Sequence, residues 1–263
     1  IGANMLIISE PSRRSRGVSQ GAGTRRSLTW EDSKALAEQI PGVQAVAPTV
    51  RTTVQIIFGN ANWRASAEGI TPEYFEVRGW EVEDGRAFEE FEVTGGIKIA
   101  VIGATVSENL FPEQSPIGEV IRINRVPFEV VGTLKAKGQS SFGQDQDDVL
   151  FVPLKAAQQR LIGGRQRAPD NVQRIYVLAK TPEQVSIVER EIEEIMRDRH
   201  GIEPGATDDF RIRNISEIFE ARAESSRVMA LLLAAVASVS LLVGGIGIMN
   251  IMLVSVTERT REI

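Results

Sequence analysis

The sequence predicts an α+β domain followed by one long helix that crosses a membrane. Residues 228–257 carry no charged side chain, and about 20 apolar residues suffice to span a bilayer as a helix. Before this run, short apolar strands alternate with amphipathic helices, and a strand–helix–strand order is seen near the end of that part. The 263 residues allow one large domain or two modest ones, each with its own core.

The composition excludes several kinds of chemistry. The chain has no cysteine, which excludes disulfides, cysteine-ligated zinc, iron–sulfur clusters and a cysteine nucleophile. It has one histidine, which excludes a histidine-rich metal site. The net charge of −5 argues against nucleic acid as a partner. The motifs GxxxxGK[ST], GxSxG and HExxH are absent, so we predict no catalytic site and no cofactor in this chain.

The first outer segment reads as a strand, a helix and a hairpin. Residues 4–9 form an apolar strand, and Thr29 with Asp32 predicts a capping box at the start of a helix. Residues 43–58 and 61–70 are extended, and the two-residue turn between them predicts a β-hairpin.

The second outer segment repeats the pattern. Residues 173–180 predict a strand, and Thr181 with Gln184 predicts a capping box for a helix that ends near His200. Residues 209–213 follow as another strand, which completes a βαβ unit. We expect the two outer segments to pair as similar α+β halves.

The residues between the outer segments read as an inserted α/β lobe. The expected hairpin turns at Asn124-Arg125. The predicted strands are 97–102, 120–123, 128–134 and 149–152, and the predicted helices are 104–111 and 154–162.

Three polar features have two interpretations each. His200 suits the negative end of a helix dipole, and the alternative is a catalytic role. Asp145, Asp147 and Asp148 order their loop by bonding nearby backbone, or they bind calcium or magnesium. The arginine-rich residues 10–27 form a solvated loop, or they contact anionic lipid or a partner.

The uncharged run contains small and polar residues that suit helix packing. Gly244, Gly245 and Gly247 permit close approach of a second helix, and Asn250 needs a polar partner in lipid. The alternative is that the glycines face lipid. Such a span predicts that the chain belongs to a larger helix bundle.

A stalk is predicted between the domain and the membrane. Asn214 is a plausible N-cap, and nothing in residues 215–256 breaks a helix, which would be about 63 Å long at 1.5 Å per residue. Such a helix passes motion between the two sides of the membrane, or it is a static tether.

Several stretches resemble MacB-type ABC transporter permeases of the MacB/FtsX superfamily. Residues 69–88, 116–134 and 137–154 are similar to the periplasmic core of these permeases. Residues 244–263 are similar to their second transmembrane helix as it enters the cytoplasmic coupling segment.

The resemblance implies a domain layout. Four membrane helices are expected in the parent protein, with Ile1 just outside the first helix and the third and fourth beyond Ile263. The ectodomain has a Porter lobe and an inserted Sabre lobe. The implied segments are a Porter-like lobe in two parts (1–70 and 169–214), a Sabre-like lobe (71–168), a stalk (215–227), a transmembrane helix (228–257) and the start of the coupling segment (258–263).

The resemblance also implies a function in the bacterial inner membrane. A cytoplasmic ABC ATPase would bind ATP and drive motion of the ectodomain, which is called mechanotransmission, in a homodimer of permeases. Efflux would proceed through a periplasmic adaptor and an outer-membrane duct. The residues that match the ATPase-coupling segment are Glu258, Arg259, Arg261 and Glu262.

Two other functions stay open at this stage. One is a related permease that extracts lipoproteins, as LolC and LolE do, or that regulates a cell-wall hydrolase, as FtsX does. The other is a membrane-tethered enzyme or sensor, for which the three aspartates of residues 145–148 would be the site.

Overall fold

The computed structural model describes residues 4–11, 27–140, 143–162 and 170–259. Residues 1–215 form one compact unit and residues 216–263 form a second. Each unit is described by itself below.

The described residues contain ten strands and seven α-helices. The strands are β1 (Met5–Ser9), β2 (Val43–Phe58), β3 (Ala61–Ile70), β4 (Val82–Gly85), β5 (Ile99–Ile102), β6 (Val120–Ile123), β7 (Val126–Leu134), β8 (Val149–Pro153), β9 (Arg174–Ala179) and β10 (Arg211–Asn214). The helices are α1 (Trp30–Gln39), α2 (Glu73–Arg78), α3 (Glu90–Gly95), α4 (Ala104–Leu110), α5 (Leu154–Ala156), α6 (Val185–His200) and α7 (Ile215–Arg259).

The outer segments form a sheet in the order β10-β1-β9-β2. Strand β1 is antiparallel to both β9 and β10, and β9 is antiparallel to β2. Consequently β1 and β2 run parallel around α1, and β9 and β10 run parallel around α6. This arrangement is the split βαβ pattern of ferredoxin-like folds, and it confirms the predicted strand–helix–strand order.

Strand β2 continues beyond this sheet into a second set of pairings. Its later residues pair with β3, which lies parallel to β8; β8 pairs with β5, and β5 with β7. Strand β6 pairs with both β7 and β2, so β2, β3, β8, β5, β7 and β6 close a ring. The ring includes strands from both sides of residue 70, and the predicted division into two lobes stays a prediction.

The core of this unit is apolar and includes a group of edge-to-face aromatic rings. Phe151 packs against Tyr74 at 5.4 Å, Trp80 at 5.5 Å and Phe75 at 5.8 Å between ring centroids. Such T-shaped pairs add to the free energy gained from burial. These contacts fix helix α2 and the residue Trp80 that follows it on β8.

Local signals set the ends of most elements. Thr29 and Asp32 form the predicted capping box of α1, and Gly201 ends α6 in the left-handed conformation at φ 66°. The hairpin turn is also confirmed: Asn124 and Arg125 have φ values of 47° and 74°.

One predicted helix start is wrong. Residues Pro182–Gln184 form a 3₁₀ turn in which the Gln184 amide donates to the Thr181 carbonyl at 3.2 Å. The Thr181 side chain makes no capping hydrogen bond, and α6 begins at Val185. The helix predicted over 154–162 is confirmed over 154–161, although only Leu154–Ala156 is α-helical and Ala157–Leu161 is π-helical.

Candidate functional site: the long helix and the buried polar clusters

Helix α7 is the longest element of the described chain. It has 45 residues, about 67 Å at 1.5 Å per residue. Glu224–Met249 is long and apolar enough to cross a membrane, and its most apolar stretch of 18 residues has a mean hydropathy of 2.4 and no buried residue. By length and composition it is a candidate membrane span that overlaps most of the predicted residues 228–257.

The glycines of α7 face open space within the described chain. A Cβ atom added to Gly244, Gly245 or Gly247 would meet nothing within 4 Å. Bulky apolar neighbours such as Leu241 are 79% exposed. Any partner for this surface would come from outside the described residues, so the helix-packing role of the glycines stays a prediction.

The predicted coupling residues lie at the end of the chain. The backbone of α7 includes Glu258 and Arg259, and Arg261 and Glu262 lie outside the described residues. The side chain of Asn250 is also outside the described part. The ATPase-coupling role of this segment stays a prediction.

No residue separates the last strand from the long helix. Strand β10 ends at Asn214 and α7 begins at Ile215. Asn214 thus occupies the position predicted for the N-cap. The chain passes from sheet to helix without a glycine or proline between Asp209 and Arg227.

A buried ionic cluster lies close in sequence to that junction. His200, the last residue of α6, has Nδ1 2.7 Å from Oδ1 of Asp209 and Nε2 3.5 Å from Oδ2 of Asp32. The Arg199 guanidinium Nε donates to Oδ1 of Asp32 at 2.8 Å. The His200 side chain is 2% exposed. The ring is therefore bound between two carboxylates rather than at the end of a helix dipole alone.

The cluster shifts the pKa of two of its members. The hydrogen bond with Asp32 raises the pKa of His200 above its ordinary value, burial opposes this shift, and the bond with Asp209 adds to it. Burial raises the pKa of Asp32, but hydrogen bonds from His200, Thr29 and Arg199 outweigh burial and hold this pKa well below its usual range.

The three aspartates predicted as a loop-ordering or metal cluster hold the loop together. Asp147 accepts from the backbone N–H of Lys137 at 2.8 Å and of Gly138 at 2.7 Å. Asp145 accepts from the Asp147 amide at 2.8 Å and from the Thr105 hydroxyl at 2.7 Å.

Asp148 is directed to a different partner. Its Oδ1 accepts from the indole N–H of Trp63 at 2.8 Å. The three carboxylates thus bind groups on different elements, which confirms the loop-ordering interpretation. Among the described residues no group of three potential ligands is placed to hold a metal ion.

Lys137 is a second cation with an unusual environment. Its Nζ lies 4.0 Å from the centroid of the Trp80 ring and donates to the Arg78 carbonyl at 2.9 Å. Burial and the nearby Arg78 charge lower the pKa of Lys137 to about 8. The ammonium closes the C-terminal end of α2, which is a structural role.

A shallow polar hollow lies on the β2–β3 hairpin. Its volume is about 560 Å³. Within it, the Gln55 side chain donates to Oδ1 of Asn62 at 2.9 Å, and the Gln55 backbone N–H donates to Oδ1 of Asn124 at 3.1 Å. Its lining residues are Thr53, Val54, Gln55, Asn62, Arg64 and Asn124.

Sequence reasoning missed the His200 cluster. Asp32 was assigned to the cap of α1, which it does form, but it is 168 residues from His200 along the chain. Nothing in a single sequence links two residues so far apart. The only available signal was that the lone histidine ended an amphipathic helix.

The family model for the MacB-like periplasmic core domain matches residues 2–195. A macrolide export ATP-binding/permease protein MacB from Chlorobium luteolum is 41% identical over 263 residues, covering 100% of this chain and 39% of the relative. The MacB protein of Bdellovibrio bacteriovorus is 39% identical over 264 residues, covering 100% of this chain and 40% of the relative. The chain thus spans about two fifths of the length of these curated relatives.

Two solved structures share the fold. The periplasmic region of MacB from Actinobacillus actinomycetemcomitans superposes with a TM-score of 0.67 at 24% identity, covering 85% of this chain and 94% of that chain. The extracellular domain of the noncanonical ABC-type transporter YknZ from Gram-positive bacteria gives a TM-score of 0.64 at 20% identity, covering 80% of this chain and all of that chain.

The family model and the curated relatives place the chain in the class of ABC transporter permeases that carry a periplasmic core domain. Within that class, the chain belongs to the MacB family and is a MacB-type permease. The relatives are named ATP-binding/permease proteins, so an ATPase component is part of this kind of transporter.

Proposed function

We propose that the chain is the permease segment of a MacB-like exporter that converts cytoplasmic ATP hydrolysis into motion of its periplasmic domain. That motion would drive substrate from the periplasm into an adaptor and an outer-membrane duct. The permease would act as a homodimer in the inner membrane, with the compact unit in the periplasm.

The observation that supports this proposal most directly is the direct junction of β10 and α7. Because α7 starts at the residue after Asn214, motion of the helix reaches an edge strand of the sheet without a linker that would absorb it. A static anchor has no need of such continuity and tolerates a flexible joint.

We assign ATP chemistry to a partner chain or domain and not to this chain. The tethered-enzyme alternative depended on the carboxylates of residues 145–148, and their oxygen atoms are used by the loop and by Trp63. Glu258, Arg259, Arg261 and Glu262 are the residues that we propose to meet the ATPase.

The proposal is tested by making α7 less stiff just before the uncharged residues 228–257. The pair Ser225 and Ser226 is exposed and precedes the uncharged residues. Glycine is about 1 kcal/mol per residue less favourable than alanine inside a helix. The variant S225G/S226G therefore weakens the helix at that point, and S225A/S226A is its matched control.

The experiment uses the full-length protein with its ATPase in nanodiscs. A spin label at the exposed Glu113 (E113C) reports the distance between two copies in ADP and in ATP. We expect a nucleotide-dependent change in distance in the wild type and in S225A/S226A, and its loss in S225G/S226G with ATPase activity retained. No change in distance in the wild type would contradict mechanotransmission.

MacB-like export and the two alternative permease functions are distinguished by whether an adaptor protein is needed. An exporter of the MacB kind requires an adaptor for transport, whereas lipoprotein extraction or hydrolase regulation does not. Deletion of the adaptor from a reconstituted system is expected to abolish efflux, and retained activity would favour the alternatives.

A further inference from the structure

Asp32, His200 and Asp209 lie on three different segments of the compact unit. Asp32 is in the first turn of α1, His200 is the last residue of α6, and Asp209 lies two residues before β10. We propose that the trio is a proton-dependent latch, which fastens the connection of residues 201–210 when His200 is protonated and releases it when His200 is neutral.

Both ring nitrogens of His200 face a carboxylate. Nδ1 of His200 lies 2.7 Å from Asp209, and Nε2 lies 3.5 Å from Asp32. A neutral imidazole has one N–H group, whereas the imidazolium has two. Only the protonated ring can donate to both carboxylates at once.

The latch lies away from water. The side chains of His200, Asp32 and Asp209 are 2%, 5% and 9% exposed. In such surroundings an ion pair is screened weakly, and a carboxylate that loses its partner is costly to keep buried. A neutral ring can keep one N–H group on Asp209, but it no longer balances the buried negative charge, and this favours local opening in which Asp209 reaches water.

Among the described residues, charged groups on the elements next to the ring belong to α1, α6 and β10. Arg199 of α6 binds the other oxygen of Asp32. Strand β1 carries no ionisable residue, and Arg211 and Arg213 of β10 are exposed. The carboxylates of Asp32 and Asp209 are the groups that raise the pKa of His200, the Asp32 bond most.

The two carboxylates lie on opposite nitrogens of the ring. A metal ion needs ligands that converge on one point, so this arrangement does not suit a metal centre. The Phe210 ring packs edge-on to the imidazole at 6.0 Å between centroids and closes the site.

A second contact holds the same connection. Arg197 pairs with Asp208 and donates to the carbonyls of Glu203 at 2.9 Å and Ala206 at 3.3 Å. This contact does not involve the histidine ring. It provides a control, because Asp208→Asn weakens the connection without removing a carboxylate that binds the histidine ring.

The direction of the pH effect follows from the raised pKa of His200. The latch is fully closed below the pKa of the ring in the open state, about 6.5. Between that value and the higher pKa of the closed state, the opening equilibrium rises up to about tenfold per pH unit. The released segment leads into β10, which precedes α7 directly.

Hydrogen exchange on the full-length protein in nanodiscs tests the latch. Protection of peptides within residues 201–210 is measured from pH 5.5 to 8.5 and corrected for the intrinsic exchange rate. We expect constant protection to about pH 6.5 and then a fall of up to about tenfold per unit. Peptides of β8, buried throughout, provide the internal reference.

Two variants make the test specific. Asp209→Asn keeps an acceptor but removes a charge, so the fall is expected at lower pH, together with a lower NMR-measured pKa of His200. Asp208→Asn is expected to reduce protection at every pH without moving the midpoint. His200→Gln is expected to give low and pH-independent protection.

The latch proposal is contradicted if the hydrogen-exchange protection of residues 201–210 in the wild type stays constant through the titration of His200. It is equally overturned if Asp209→Asn leaves the midpoint unchanged. Both results come from proteins that retain the histidine, so the test stands even if His200→Gln does not fold.

Discussion

The side chain of Gln173 continues the hydrogen-bond ladder of β9 along Arg51 of β2. Its Oε1 accepts from the Arg51 amide at 3.2 Å, and its Nε2 donates to the Arg51 carbonyl at 3.1 Å. One amide group thus replaces a backbone pair just beyond the point where β2 leaves its pairing with β9.

Replacement of Gln173 by alanine is expected to lower the free energy of unfolding by about 0.5–1.5 kcal/mol, since two exposed hydrogen bonds to the Arg51 backbone are lost. Urea unfolding of the compact unit, residues 1–215, measures the change. Gln55→Ala is the control, because the Gln55 side chain bonds to another exposed side chain. Equal effects of the two variants would contradict the ladder role.

Asp147→Asn is expected to destabilise the loop by about 1–2 kcal/mol. Both carboxylate oxygens accept backbone N–H groups, and an asparagine side chain can accept only one of them. Asp148→Asn retains the single acceptor used by Trp63 and should change stability much less. Thermal unfolding of both variants checks the difference, and a larger loss for Asp148→Asn would refute it.

Asp32→Asn is expected to lower the free energy of unfolding by about 1–3 kcal/mol near neutral pH. The pKa of Asp32 is lowered in the folded state. The stability that its carboxylate contributes is therefore fully present above the pKa of an ordinary aspartate, near 4, and is lost as the pH falls through the pKa of the folded state. The difference between wild type and variant should therefore shrink in strong acid. Urea titrations from pH 2 to 7 measure it, with the exposed Glu31→Gln as control.

Arg125→Gly is expected to stabilise the β6–β7 hairpin by about 0.5–1 kcal/mol. Arg125 has a φ of 74°, a region in which glycine is free of the steric cost that a side chain brings. Arg125→Val should have the opposite effect, since branching at Cβ worsens the conflict. The thermal unfolding midpoints of the two variants, compared with that of the wild type, show whether each substitution stabilises or destabilises the protein.

Gly247→Leu is expected to weaken association of the permease in the membrane, if the glycines form the proposed helix interface. Ala235→Leu adds a similar volume at another exposed position of α7 and serves as the control. Cross-linking of the full-length protein in nanodiscs measures the dimer fraction. An unchanged dimer in Gly247→Leu would indicate that this glycine does not lie at the interface between the two copies.

The sequence predicted the features that depend on neighbouring residues. Strands β2 and β3 have the predicted bounds, because apolar alternation and the Gly59-Asn60 turn lie within one hairpin. The capping box of α1 was likewise visible in four consecutive residues. The box predicted at Thr181 failed because Pro182 and the following residues prefer a tighter turn.

Features that depend on distant residues were not predictable in this way. The ring of strands closes where β6 meets β2, which places Ile56 beside Ile123, and no local pattern encodes that pairing. The contact of His200 with Asp32 is of the same kind. Secondary structure follows local chemistry, whereas partners across the fold are chosen by how the elements pack.

Strand β2 belongs to both the split βαβ sheet and the closed ring. Its 16 residues measure about 53 Å at 3.3 Å per residue. A load applied to one end travels along the strand and meets hydrogen bonds arranged to resist shear, many of which must break together. Because β2 is common to the two sheets, a force that enters through one sheet would be carried into the other without a flexible linker.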